Sequence, residues 1–218
     1  MISRVHALNF VRKFALTAAL FLGPLYFLKL GFSGVAIGLV VSCFAFAPVV
    51  LSIPTGWIND RFSMKRVIAA ALLAQAALFI LIGQARSVAV MAAVFLLLGL
   101  ANNALDVSIM SLYFKAKSAH DPNRKYGIYN FWMAAGSAAG LFVGGILTFL
   151  SSYRTLLAVF AGLVAVSLFA VAGLGEEKFS VVKAREYRSG ILRPRTLAFA
   201  VVLFFLASHW GVEGTVYG

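Results

Sequence analysis

A charged segment with the sequence GWINDRFSMKR, residues 56–66, separates two long apolar runs. Residues 35–54 before it and residues 67–83 after it contain no charged side chain. A helix needs roughly 20 apolar residues to cross about 30 Å of hydrocarbon, and each run comes close to that length. The segment, called the charged tether below, therefore predicts a tight connection between two membrane-spanning helices.

The composition of the whole chain agrees with that interpretation. Of the 218 residues, 62% are hydrophobic and only 12% are charged, whereas a soluble domain has about 45–50% apolar and about 25% charged residues. The formal net charge of +12 is spread over short clusters between apolar runs, an arrangement typical of membrane topology signals. No basic face with interleaved aromatic residues is evident, so we expect no nucleic-acid partner.

The apolar runs predict an all-α polytopic membrane protein with six complete spans and the start of a seventh near Leu197. The predicted spans are residues 14–32, 34–57, 65–82, 88–114, 126–150 and 156–174. We therefore expect a transmembrane bundle at 1–174, a cytoplasmic basic linker at 175–195, and the start of a second bundle at 196–218. We also expect the chain to be the first part of a longer protein, whose C-terminal half is its missing partner. A complete seven-span protein is the alternative.

The basic residues are distributed unequally between the two ends of these spans. Only Lys29, Arg86 and Arg154 fall at one end, and the other 16 of the 19 Lys and Arg residues fall at the opposite end or in the linker. Because basic loops remain in the cytoplasm, this bias predicts a cytoplasmic N-terminus in the plasma (cell inner) membrane. Arg12 and Lys13 are counted here as bases that precede the first span.

Span 4 contains three polar side chains within five residues, Asn102, Asn103 and Asp106. Their spacing of three and four residues places them on one helix face. A carboxylate inside a membrane helix normally faces the bundle interior or a water-filled cavity, and burial favours its protonated form. The pattern indicates a proton-coupling or substrate-binding group, with Asn130 of span 5 as a further partner of Asp106. A structural hydrogen bond between helices is the alternative.

Two further patterns bear on packing and on proton movement. Span 5 contains Gly136, Gly140, Gly144 and Gly145, and glycines four residues apart permit close approach of another helix. In span 7, His209 and Glu213 are four residues apart, which fits a proton relay. An interfacial position near Trp210 and Tyr217 is the preferred interpretation of that pair, since carboxylates and aromatic residues are common at the membrane surface.

The charged tether resembles the loop 2–3 signature of the major facilitator superfamily, Gly-x-Leu-Ala-Asp-Arg-x-Gly-Arg-Lys. Gly56, Asp60, Arg61 and Lys65 match that pattern. Ile58 replaces its leucine, whereas Ser63 and Met64 depart from it. The resemblance implies the six-helix N-terminal half of that fold and transport by alternating access. It also implies that Asp60 and the neighbouring bases Arg61, Lys65 and Arg66 form a cytoplasmic gate.

The glycine segment of span 5 is similar to the antiporter signature Gly-x-x-x-Gly-Pro-x-x-Gly-Gly of the same superfamily, with Leu141 in place of proline.

Taken together, these patterns favour a secondary active transporter of a small solute, coupled to protons and inclined towards efflux by antiport. We expect neutral or cationic solutes, because the predicted interior of this half holds the acid Asp106 and no base. Uptake by symport, or a truncated half that does not transport, are the alternatives. No catalytic set, phosphate loop or metal-ligand set is evident, so we expect neither an enzyme nor a cofactor or metal.

Overall fold

The computed structural model of the chain describes residues 2–115 and 121–174, together with the four residues at 194, 198, 201 and 202; side chains at 49–53 and 60 lie outside this description. The chain divides into two compact units, Met1–Lys178 and Phe179–Gly218. The helices of the first unit are α1 (Ile2–Lys29), α2 (Gly34–Arg61), α3 (Met64–Gln84), α4 (Val88–Lys115), α5 (Pro122–Leu150), α6 (Tyr153–Val166) and α7 (Leu168–Ala172). Every regular element in the described part is helical, which confirms the predicted all-α class.

Among the described residues, five helical stretches are long and apolar enough to cross a membrane, and α6 with α7 (Tyr153–Ala172) is one of them. The largest difference from the sequence-based spans is at the start of the chain. Helix α1 begins at Ile2, not near Phe14, because buried Val5 and Leu8 continue its apolar stripe towards the N-terminus.

The connections are short, and polar side chains fix where the helices begin. The Ser33 hydroxyl accepts a hydrogen bond from the Ala36 amide at the start of α2. Asp121 caps α5 by accepting hydrogen bonds from the amides of Asn123 and Arg124. Such caps satisfy backbone donors that a helix start otherwise leaves unpaired. Between α1 and α2 the chain turns at Gly31, whose φ of 84° lies in the left-handed region that glycine adopts readily.

Glycines of α5 determine how closely α1 and α5 approach each other. A Cβ atom added at Gly136 or at Gly140 would collide with the backbone carbonyl of Phe10 or Phe14, respectively. At Gly144 an added Cβ would lie 2.9 Å from the Ala18 Cβ, whereas nothing lies within 4 Å at Gly145. Three of the four glycines singled out in the sequence therefore face α1, and Gly145 does not.

Candidate functional site

Asp106 of α4 forms ion pairs with two adjacent basic residues of α1. The Arg12 Nη2 donates to Asp106 Oδ1 at 2.6 Å, and the Lys13 Nζ donates to Asp106 Oδ2 at 3.2 Å. The Arg12 side chain is only 1% exposed, whereas that of Asp106 is 34% exposed. The Arg12 side chain of α1 is thus buried, whereas the Asp106 carboxylate of α4 is partly exposed.

Two asparagines complete the network around these charges. The Arg12 Nε donates to Asn9 Oδ1 at 3.1 Å, and its Nη1 donates to Asn102 Oδ1 at 3.4 Å. Asn102 Nδ2 in turn donates to Asp106 Oδ2 at 3.0 Å. Charged side chains are found buried when they are paired and hydrogen-bonded. In this network two cations pair with one anion, and the asparagines supply further hydrogen bonds. We refer to Asn9, Arg12, Lys13, Asn102 and Asp106 as the α1–α4 charge cluster.

The cluster corrects two parts of the sequence interpretation. The interior of this half was expected to hold no base, yet buried Arg12 and partly buried Lys13 lie within α1. Asn130 was expected to be a partner of Asp106, but among the described residues Asp106 bonds only to Arg12, Lys13 and Asn102. The physical reason is that the early start of α1 carries these bases into the bundle beside α4.

Asn103 faces a different helix from Asn102. Its Nδ2 donates to the Thr55 Oγ1 of α2 at 3.1 Å. One helical turn further on, the Ser108 hydroxyl donates to Asn59 Oδ1 at 2.7 Å. These bonds form a polar seam between α2 and α4, so Asn103 belongs to this seam and not to the charge cluster.

The charged tether is folded into the end of α2 and the start of α3. The Arg61 guanidinium lies 4.0 Å from the centre of the Trp57 ring, a cation–π distance. The Lys65 Nζ donates to the Ala172 carbonyl at 2.9 Å, at the C-terminal end of α7 where a cation is favoured. Gly56 is partly buried, Arg66 is exposed, and the side chain of Asp60 lies outside the described residues.

The sequence model of the Major Facilitator Superfamily matches residues 5–217, almost the entire chain. The chain belongs to the major facilitator superfamily. No curated protein sequence matches it. Among solved structures, it is similar to the nucleoside transporter NupG, with a TM-score of 0.77 and 21% identity over 94% of this chain and 52% of NupG. A POT family transporter in complex with 5-aminolevulinic acid gives a TM-score of 0.71 and 11% identity over 96% of this chain and 47% of that one.

The superfamily fold accounts for the helix arrangement, and at these identities the solved structures show the fold alone. The chain spans about half the length of each of them. As a member of the superfamily with several apolar membrane-length helices, it is a multi-pass membrane protein. The tether motif that resembles the superfamily signature lies at the α2–α3 connection, as that resemblance implied.

The basic half of the charge cluster was missed by sequence reasoning, although a signal for it was present. Buried Val5, Leu8, Arg12, Ala15 and Ala19 follow one another at spacings of three and four residues. Arg12 therefore occupies a position in an apolar stripe, which is unusual for a solvated base.

His209 and Glu213, the pair suggested as a relay, lie outside the described residues. Within the described ranges, no group of three His, Cys, Asp or Glu side chains could hold a metal ion.

Proposed function

We propose that this chain forms half of a secondary active transporter that moves a small solute across the membrane by alternating access. The observation that carries the proposal is the α1–α4 charge cluster. An ionisable side chain inside a membrane helix is costly and commonly marks an ion or substrate pathway. Here one partly exposed carboxylate is shared by two bases of another helix.

The two ion pairs supply a plausible physical basis for coupling. Both oxygens of Asp106 are occupied by bases of α1. A proton or a cationic solute group that binds this carboxylate competes with Arg12 and Lys13 and weakens the link between α1 and α4. A ligand shifts a conformational equilibrium only if it binds one state better than the other, and this competition provides such a difference. We therefore propose Asp106 as the proton-coupling group, with Asn102 as its support.

The proposed direction is efflux by proton antiport, based on the glycine segment of α5, with uptake by symport as the alternative. The charge of the site changes the expected solute. Because Arg12 and Lys13 outnumber Asp106, the cluster gives no reason to prefer cationic over anionic solutes. Nucleosides belong in the first panel of compounds, since NupG is described as a nucleoside transporter.

The charged tether is the proposed cytoplasmic gate, formed by Gly56, Asp60, Arg61, Lys65 and Arg66. Support comes from Lys65, which connects the start of α3 to the end of α7 through the Ala172 carbonyl. A conformational change that moves α3 relative to α7 must break this bond. The tether is therefore suited to stabilise one of the two states of the transporter.

Replacement of Asp106 by asparagine tests the coupling role. The Asp106→Asn variant of the full-length protein, reconstituted in proteoliposomes, is compared with wild type for solute movement driven by a pH gradient. We expect the gradient-driven transport to fall by roughly 5–150-fold, the range of typical coupling free energies, while exchange of solute without a gradient persists. The same replacement at exposed Asp121, Asp121→Asn, is the control, since asparagine also caps helices well. Full gradient-driven transport by the Asp106→Asn variant contradicts the coupling role.

A further inference from the structure

A cavity of about 760 Å³ lies at the end of the bundle opposite the charged tether. It is bounded by the C-terminal ends of α1 and α5, by the start of α6 and by the α3–α4 connection. Its volume falls within the range of about 300–1,000 Å³ that is typical of small-molecule sites. Lys29, Arg86 and Arg154 line it together with apolar side chains that include Leu25 and Phe149.

No acid among the described residues neutralises the three cations in this cavity. Arg86 donates from Nη1 to the Tyr26 hydroxyl at 2.7 Å and to the Ala85 carbonyl at 3.3 Å. Neither Lys29 nor Arg154 forms an ion pair with any described residue, and no Asp or Glu lines the cavity. The site therefore presents three positive charges, which attract an anionic group.

The positions of these cations in the sequence make the cluster unusual. They lie in three different interhelical connections or helix ends, yet all of them line one cavity. They are also the three bases at the end of the spans where basic residues are scarce, while the other 16 of the 19 lie elsewhere. Their convergence therefore concentrates the few bases of that end in a single cavity.

The walls of the cavity are largely apolar and include two stacked tyrosine rings. Tyr26 and Tyr153 stack with their ring centres 4.5 Å apart and their planes 12° apart, and the Tyr153 hydroxyl donates to the Ala19 carbonyl at 2.6 Å. Leu25 is 56% exposed and Phe149 is 92% exposed. A ligand with an acidic head and an apolar chain therefore matches both the cations and the walls.

We propose that this cavity binds an anionic phospholipid. Its phosphate lies among Lys29, Arg86 and Arg154, and an acyl chain lies along Leu25 and Phe149. A phospholipid fits better than a soluble anion because the cavity is at the ends of membrane-length helices, where lipid headgroups are located, and because its walls expose apolar side chains. The proposal does not depend on the transport mechanism or on Asp106.

Photolabelling of the full-length protein in phosphatidylcholine nanodiscs tests this site. The probe is phosphatidylglycerol with a diazirine in its acyl chain, and a phosphatidylcholine probe with the same chain serves for comparison. We expect the phosphatidylglycerol probe to label peptides that contain Leu25 or Phe149 roughly 100-fold more than the phosphatidylcholine probe, since each of the three bases contributes about fivefold. The Lys29→Gln, Arg154→Gln double variant keeps Arg86 on Tyr26 and is expected to lose roughly 25-fold of this labelling.

Two matched double variants serve as controls. They test whether labelling depends on the charges at this cavity and not on folding or on the overall charge of the protein. Lys29→Arg with Arg154→Lys keeps both charges and is expected to retain labelling. Arg4→Gln with Arg124→Gln removes two exposed bases elsewhere and is expected to leave labelling of these peptides unchanged. Equal labelling by the two probes, or unchanged labelling in the Lys29→Gln, Arg154→Gln variant, overturns the proposal. Competition by soluble glycerol phosphate as effective as that by phosphatidylglycerol would assign the cavity to a free anion instead.

Discussion

Arg12 donates hydrogen bonds to three side chains, those of Asn9, Asn102 and Asp106, so its removal is expected to cost more than the loss of one contact. In an Arg12→Leu variant, Asp106 keeps Lys13 as its only basic partner, and the buried Asn9 oxygen loses the guanidinium that donates to it. Breaking a buried ion pair by removing one partner costs about 3–5 kcal/mol. Because Asp106 is 34% exposed, we expect a loss near 3 kcal/mol in the free energy of unfolding, measured by SDS titration in mixed micelles.

The double variant Arg12→Leu, Asp106→Leu distinguishes the ion pair from general packing. Replacement of both charges leaves no uncompensated carboxylate, so we expect it to recover part of the stability that Arg12→Leu loses. A double variant at least as unstable as the sum of the two single variants would show that the pair contributes no favourable coupling.

At the scale of residues, the sequence predicts that Asp106 belongs to a polar site, but it does not predict which bases pair with it. Asp106 and Asn102 are four positions apart on one helix, so their proximity follows from the helical repeat alone. Contacts of Asp106 with Arg12 and Lys13 join positions more than 90 residues apart. Such contacts depend on which helices are neighbours and on their register, neither of which a local pattern specifies.

The pairing of α1 with α5 rests on glycines, and the comparison of two alanine substitutions tests this. A methyl group at Gly140 has no space, because it meets the Phe14 carbonyl. Overpacking of this kind costs about 1–3 kcal/mol, so Gly140→Ala should lower stability by that amount in the same SDS titration. Gly145→Ala is the matched control on the same helix, where nothing lies within 4 Å.

Helix propensity affects both alanine variants in the same direction. Alanine is favoured over glycine in a helix by up to about 1 kcal/mol, so Gly145→Ala should be neutral or slightly stabilising. Equal stability of the two variants would mean that the backbones of α1 and α5 separate easily and that their close approach is not required.

At the scale of elements, apolar length predicts where most helices lie because crossing hydrocarbon requires about 20 apolar residues. The predicted spans at 34–57, 65–82 and 88–114 fall within α2, α3 and α4. The same length criterion missed the start of α1, because it ends an apolar run at the nearest charged residues, here Arg12 and Lys13. Those charges are tolerated because α4 supplies Asp106 and Asn102 as partners.

For the whole molecule, our two proposals assign different roles to the two ends of the bundle. The end at the α2–α3 connection carries the proposed gate, and the opposite end carries the cavity with three cations that form no ion pair with a described residue. The distribution of bases is the only sequence signal that assigns these ends to sides of the membrane. The orientation of the chain therefore determines which leaflet would supply the proposed lipid and which side of the membrane the proposed gate faces.

Cysteine labelling in intact cells tests the predicted orientation. Cys43 is the single cysteine of these 218 residues, so Cys43→Ala, with any cysteine elsewhere in the full-length protein also replaced, provides a background for Ser151→Cys in the α5–α6 connection and Asn123→Cys at the exposed start of α5. With a cytoplasmic N-terminus, a membrane-impermeant maleimide should label the variant at position 151 in intact cells and the variant at position 123 only after permeabilisation. The reverse pattern would place the N-terminus on the outer side and contradict the predicted orientation. It would also place the lipid cavity in the cytoplasmic leaflet, where anionic headgroups are attracted by basic residues.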